Sequence, residues 1–223
     1  MIFDCFPFFN RLETLEIRLD ELYNTVDFFV LAEATKTHSN QRKPLYFADN
    51  IERFDKFKDK IVHLIVDDMP NGDDHWERER YQRDKIGHFL KRKAQDNDLI
   101  ILSDCDEVPK ASVVEKITLE HGQLANLDMD CFQYFYNLKG RNSWNMGKAC
   151  NYSTFKLYNT ASDIRNSGAH LDIEKAGWHF GYIGGLERVV KKIQSFAHQE
   201  FNSDYFLNSN VIKAYITMGF SIW

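Results

Sequence analysis

Residues 98–109 read Asp98-Leu99-Ile100-Ile101-Leu102-Ser103-Asp104-Cys105-Asp106-Glu107-Val108-Pro109. Four consecutive apolar residues, entered from the polar Gln95, Asp96 and Asn97 and followed soon by a proline, predict a short strand buried on both faces. Such a strand belongs at the centre of a parallel sheet. Acids directly beyond it then fall in the crevice outside the strand's carboxyl end, where open α/β sheets place their ligands. Asp104, Asp106 and Glu107 repel one another there unless something positive lies between them. Hard carboxylate oxygens suit Mg2+ or Mn2+, ions that commonly use one or two carboxylates plus substrate phosphates. The stretch therefore predicts an Asp-x-Asp metal and nucleotide site, set against the plainer reading of a solvated acidic exit from a strand.

The rest of the chain fits an α/β domain around that strand. With 223 residues, 43% of them hydrophobic, one sizeable core can form, and a single domain is expected. The net charge of −5, with charges interspersed, argues against a nucleic-acid partner or a strongly anionic membrane as the main one. No apolar run approaches the roughly 18 to 20 residues that span a bilayer. The start, Met1-Ile2-Phe3-Asp4-Cys5, has no signal-peptide pattern. Cys5, Cys105, Cys131 and Cys150 are scattered, so neither a zinc knuckle nor a disulfide framework is expected, and a cytoplasmic location is.

Ile2–Phe9 and Asp27–Ala34 read as buried strands. Leu12, Leu15, Leu19, Leu22 and Val26 mark an amphipathic helix over 12–25. Glu33 stands at the carboxyl end of the second strand. The small polar loop 35–40, with Thr37 and His38, offers donors to a ribose or phosphate, or is an ordinary turn. Ile61–Val66 is a third strand, and a helix follows from about Trp76 to Ala94. Its stripe of Gln82, Ile86, Phe89 and Leu90, with Arg83 adjoining, puts Gln82 and Arg83 at the end nearest the strands' carboxyl termini. There the arginine fork suits a pyrophosphate, unless it is simply a surface charge.

Residues 111–121 predict a helix ending near Gly122. Residues 130–138 and 151–158 predict aromatic-rich strands, with a polar loop between them that carries Trp144. Trp144 there could stack on a sugar or cover the core. Residues 176–183 read as a short strand, and a Gly184-Gly185 turn opens a helix with Val189, Val190, Ile193 and Phe196. His179, among aromatics, reads as a core histidine or as a neutral imidazole completing a Mn2+ site. The tail through Trp223 carries no signal.

Phe3-Asp4-Cys5-Phe6-Pro7-Phe8-Phe9-Asn10, Glu16-Ile17-Arg18-Leu19, Glu33-Ala34-Thr35-Lys36-Thr37-His38-Ser39, Pro44-Leu45-Tyr46-Phe47, Gln82-Arg83, Ser103-Asp104-Cys105-Asp106-Glu107-Val108-Pro109 and Gly177-Trp178-His179-Phe180 together resemble glycosyltransferase family 17 over nearly the whole chain. The resemblance implies a GT-A type, Rossmann-like fold with a mixed, mainly parallel sheet flanked by helices. It also implies one domain over 1–223, with a nucleotide-binding half (1–109) and an acceptor-binding half (110–223). A UDP-sugar donor, GlcNAc for choice, a glycan acceptor, Mn2+ or Mg2+ and inversion at the anomeric carbon follow from it. In that scheme Asp106, Asp104 and His179 hold the metal, and Glu33, Thr37, Gln82, Arg83 and Asp104 bind the donor. Trp144 and Trp178 stack on the acceptor. Glu187 is the base, with Asp172 and Glu174 as rivals. The chain lacks the amino-terminal anchor of the animal Golgi members, which predicts a soluble enzyme of the bacterial or viral kind. Two other classes stay open: a haloacid-dehalogenase-like phosphatase using Asp104 as nucleophile, though no later Gly-Asp-x-x-x-Asp motif is present, and a nucleotide- or carbohydrate-binding module without turnover.

Overall fold

Leu99–Leu102 is a strand buried at every position, and the sheet is built outward from it. The computed structural model describes residues 1–219. Its elements, in chain order, are β1 (Ile2–Phe8), α1 (Leu12–Leu22), β2 (Phe28–Ala34), a 3-10 segment (Ala48–Phe57), β3 (Ile61–Val66), α2 (His75–Lys93), β4 (Leu99–Leu102), β5 (Glu107–Pro109), α3 (Ala111–Val114), β6 (Leu124–Gln133), β7 (Lys139–Asn151), α4 (Tyr152–Phe155), α5 (Ala161–Asn166), β8 (Leu171–Gly181), α6 (Gly185–Ser195), a 3-10 turn (Gln199–Phe201), α7 (Asp204–Leu207) and α8 (Ser209–Met218). The expected α/β architecture is what the chain adopts. One mixed sheet runs β3-β2-β1-β4-β7-β6-β8-β5. Its first four strands are mutually parallel, whereas β7 joins β4 antiparallel. The strand before the acids is thus central, with one parallel and one antiparallel neighbour.

Both faces of β1, β2 and β4 are covered, which is why these strands read as near-continuous apolar runs, broken only by Asp4, Pro7 and Glu33. Phe6, Phe8, Phe29, Leu31, Leu99 and Ile101 pack against Leu15, Leu19 and Leu22 of α1. The alternate positions, Phe3, Cys5, Val30, Ala32, Ile100 and Leu102, pack against Ile86 and Leu90 of α2. The period of two along each strand assigns each side chain to one of these layers.

Four expectations need correction. The helix predicted over 111–121 is only α3; beyond it the chain continues in single turns such as Lys116 N to Val113 O, consistent with the poor helix propensity of Val113, Val114, Ile117 and Thr118. The polar loop expected around Trp144 is the outer part of β7, paired along β6 with register shifts. Its side chains are polar because that part is solvated. The strand predicted over 151–158 is instead the one-turn α4, whose Tyr152 and Phe155 enter the α2-side layer. The helix over 12–25 stops at Leu22.

The tail forms α7 and α8, which pack Ile212 against Val189 and Ile193 of α6. Trp223 lies outside the described residues. Among the described residues all four cysteines are free, and no helix is long and apolar enough to cross a membrane.

Candidate functional site

The acidic turn after β4 is fastened from behind by a charged pair that sits on otherwise apolar faces. Asp4 lies in β1 and Arg18 in the buried stripe of α1, and both are fully inaccessible. Arg18 Nε and Nη2 donate to Asp4 at 2.7 and 2.6 Å. The same guanidinium donates to Asp104 O (2.7 Å), Glu107 O (2.8 Å) and Ser103 Oγ (2.7 Å). A buried charge persists when its hydrogen-bonding capacity is used, and here that capacity sets the path of residues 103–107. Glu107 N donates to Asp104 O at 2.9 Å, closing the turn.

Arg165 of α5 holds the turn from the other side, donating to Glu107 Oε2 (2.6 Å) and Oε1 and to Asp104 Oδ2 (3.0 Å). Helix α5 starts at a capping box between Thr160 and Asp163. Glu107 Oε1 also accepts from Trp144 Nε1 at 2.5 Å, and the Trp144 ring stacks on His179 with centroids 4.3 Å apart. Arg83 is buried, pairs with Glu79 and stands 3.0 Å from Asp104 Oδ1. The direction of that contact makes no hydrogen bond. Among the described residues Arg83 Nε, Arg83 Nη1 and Asp104 Oδ1 are therefore buried polar atoms without a hydrogen-bond partner. Native interiors rarely leave such atoms orphaned except where something else binds.

Asp106 meets a different set. Its Oδ2 is 3.2 Å from Lys192 Nζ of α6 and 3.7 Å from Arg11 Nη2, and its Oδ1 is 4.0 Å from His179 Nε2. Burial would raise the Asp106 pKa, but Lys192, Arg11 and His179 together bring it below the ordinary value. Burial would likewise raise that of Asp104, yet Arg165 and Arg83 pull it down to about 2. Both carboxyls are thus ionised at neutral pH. For His179, burial outweighs the pull of Asp106 and lowers the pKa, which favours a neutral imidazole able to ligate.

This donor set fits a hard divalent cation. Asp106 Oδ1 has the His179 imidazole 4.0 Å away, and among the described residues Asp104 Oδ1 accepts no hydrogen bond. Among the described residues no three His, Cys, Asp or Glu side chains form a group that could hold a metal ion by itself. An ion that completes its shell from water and a ligand's phosphates does not need one.

The other predicted residues divide. Thr37 and Glu187 line one cleft of about 720 Å3, with Phe9, Tyr46, Lys43 and Lys191 also on its wall. Neither aspartate of the turn lines that cleft; α6 connects the two regions, turning Glu187 and Lys191 to the cleft and Lys192 to Asp106. Gln82 spends its amide on Phe8 O, Ala32 O and His38, tying the ends of β1 and β2 together rather than presenting a free donor.

Glu33 is a correction. Its fully buried carboxylate accepts from Phe47 N and pairs with His63 and Lys43, so it braces the interior and has no oxygen to offer a ligand. Asp172, too, is not brought to the site. It lies seven residues before His179 along β8, roughly 20 Å at the rise of a strand, and accepts from Asn126. Glu174, on the same outer part of β8, is exposed. Trp178 follows the opposite face from its neighbour His179 and packs with Val108, Phe180 and Ile183.

Sequence reasoning missed Arg11, Arg165 and Lys192 as partners of the acids. It also passed over a legible signal: Arg18 falls three residues after Leu15 and four before Leu22, on the apolar stripe itself.

A family model described as Glycosyltransferase family 17 matches residues 1–223. Over 120 residues the chain is 28% identical to the beta-1,4-mannosyl-glycoprotein 4-beta-N-acetylglucosaminyltransferases of Homo sapiens and Rattus norvegicus. Each match spans 51% of this chain and 22% of the relative's length. Among solved structures, mannosyltransferase PcManGT from Pyrobaculum calidifontis, in complex with GDP-Man and Mn2+, aligns with a TM-score of 0.49 at 10% identity, covering 96% of this chain and 69% of that one.

Proposed function

The chain belongs to glycosyltransferase family 17, and from that premise we propose that it transfers a sugar, GlcNAc, from a UDP-sugar to a glycan hydroxyl, with inversion and with the help of a divalent cation. The observation that carries the reading is the set of orphaned atoms at the acidic turn. Among the described residues Nε and Nη1 of buried Arg83 donate no hydrogen bond, and Asp104 Oδ1, 3.0 Å from Arg83 Nη2, accepts none, an arrangement suited to an anionic ligand that brings its own cation. In this reading residues 1–109 supply the nucleotide-binding half and 110–223 the acceptor-binding half.

Mn2+ or Mg2+ would be held by Asp106, with Asp104 and His179 as further donors, and would offset the negative charge that builds on the departing nucleotide. Arg83 donates to the diphosphate, for which its planar fork is suited. Arg18, through Asp4 and the carbonyls of the turn, keeps both aspartates in place without touching substrate. Thr37 contributes a hydroxyl to the donor from the cleft wall. Single displacement also needs a carboxylate to take the proton from the acceptor hydroxyl. Glu187 is assigned that role: it opens α6 and lines the cleft together with Thr37. Trp144, stacked on His179, offers the apolar edge for a sugar ring.

Calorimetric titration with UDP, with and without Mn2+, tests the reading together with a hydrolysis assay on UDP-GlcNAc. Cation-dependent UDP binding and slow donor hydrolysis are expected, and Asp106→Ala should abolish the cation dependence. An Asp106→Ala protein with unchanged UDP and Mn2+ affinity would remove the site assignment, whereas UDP binding without any turnover would favour the binding module.

A further inference from the structure

The ammonium of Lys192 stands where a dication on Asp106 would feel it most. Lys192 Nζ is 3.2 Å from Asp106 Oδ2, and a hard cation bound by that carboxylate lies only about 2 Å from its oxygens. The two positive groups cannot share Asp106 without strong repulsion. Arg11, the other cation near Oδ2, is tied down because it also donates to Phe180 O at 3.0 Å. Lys192 is less fixed. Besides Asp106 it meets the face of Tyr182, at 4.7 Å, and its side chain is 27% exposed at the end of a flexible four-carbon stem.

Charge around the turn also balances. Asp104, Asp106, Glu107 and Glu79 face Arg83, Arg165, Arg11 and Lys192. A bare dication therefore meets a neutral pocket rather than an acidic one. A dication that arrives with the two charges of a diphosphate diester leaves the balance unchanged.

We propose that Lys192 is an exchangeable counter-ion: it neutralises Asp106 in the free protein and moves to the donor's diphosphate when cation and nucleotide bind together. The inference rests on the transferase reading and deepens it in two ways. It makes cation binding conditional on the nucleotide, and it adds a catalytic residue that stabilises the leaving diphosphate from α6.

Lys192→Met tests it, with Mn2+ binding to the free protein read by electron paramagnetic resonance and UDP binding read by calorimetry in saturating Mn2+. Free-protein Mn2+ affinity should rise by about tenfold or more, because the competing charge is gone, while UDP affinity falls by about tenfold. Lys192→Arg, which keeps the charge, should leave Mn2+ binding as weak as in the unaltered protein. Opposite signs in the two measurements are the signature, since a lysine that merely supports α6 would weaken both. Unchanged or weakened Mn2+ binding in Lys192→Met overturns the proposal. An unaltered protein that binds Mn2+ but never UDP would instead defeat the transferase reading, and the Mn2+ affinity of Lys192→Met would still decide whether Lys192 competes for Asp106.

Discussion

The charges that fasten the acidic turn from α1 and those that fasten α6 to the rest of the molecule are built in opposite ways. Arg18 is wholly buried, bidentate to Asp4, and shared among three groups of the turn. Helix α6 is held by Arg188 on Glu13, Lys191 on Tyr46 Oη and Lys192 on Asp106, of which the first pair is nearly half exposed at both ends. Its apolar side packs mainly within a small cluster formed with α8, apart from the two layers of the sheet. A buried pair is costly to break because its surviving partner stays desolvated. An exposed pair gives up little, because water replaces the lost partner. The turn is thus built for position, and α6 for exchange.

The strongest challenge to this contrast is to remove one arginine from each region. Arg18→Met leaves Asp4 and the turn carbonyls uncompensated and should cost about 3–5 kcal/mol in urea denaturation. Arg188→Met should cost less than about 1 kcal/mol by the same measurement. Equal costs would erase the distinction between the two regions.

A finer division runs through the turn itself. Asp104 is the counter-charge for two guanidiniums that are almost wholly buried, whereas Asp106 faces Arg11 and a lysine, both of them more accessible to solvent. Asp104→Asn, which leaves two deeply buried guanidiniums short of a counter-charge, should therefore lower stability by about 1–2 kcal/mol, and Asp106→Asn by less. The denaturation midpoints of the two proteins at neutral pH check the order, and its reversal would mean that Asp106 is the structural member of the pair.

Much of this was readable in advance, and the failures have identifiable causes. The parallel half was legible because strands covered on both faces must be mostly apolar, as Leu99–Leu102 and residues 28–32 are. The position of Asp104 and Asp106 directly beyond β4 was legible because the apolar run before them ends in a polar turn. Glu33, also at a strand end, misled, since only the tertiary structure reveals His63, Lys43 and Phe47 N around its oxygens. Arg165 and Lys192 sit on helices whose spacing says nothing about a contact 60 or more residues away. Strand β7 was opaque because its outer half is polar and solvated, leaving no alternation to read.

The smallest expected effect concerns pH at the tether of α6. The side-chain hydrogen bonds from Arg188 are the main reason the Glu13 pKa falls from 4.5 to about 2. A carboxyl whose folded pKa is depressed contributes stability above its unfolded pKa and loses it as pH falls toward the folded one. The contribution of this tether is therefore complete above about pH 5 and fades between about pH 4.5 and pH 2. Because both side chains are nearly half exposed, screening by water and salt keeps it below about 1 kcal/mol. Comparing the denaturation midpoints of Glu13→Gln and the unaltered protein should give a small gap at about pH 7 that shrinks to less than half at about pH 3. Salt at about 0.5 M should shrink the gap as well. A gap that widens in acid would mean that Glu13 is favoured as the neutral acid in the folded state, and that α6 is held by something other than this pair.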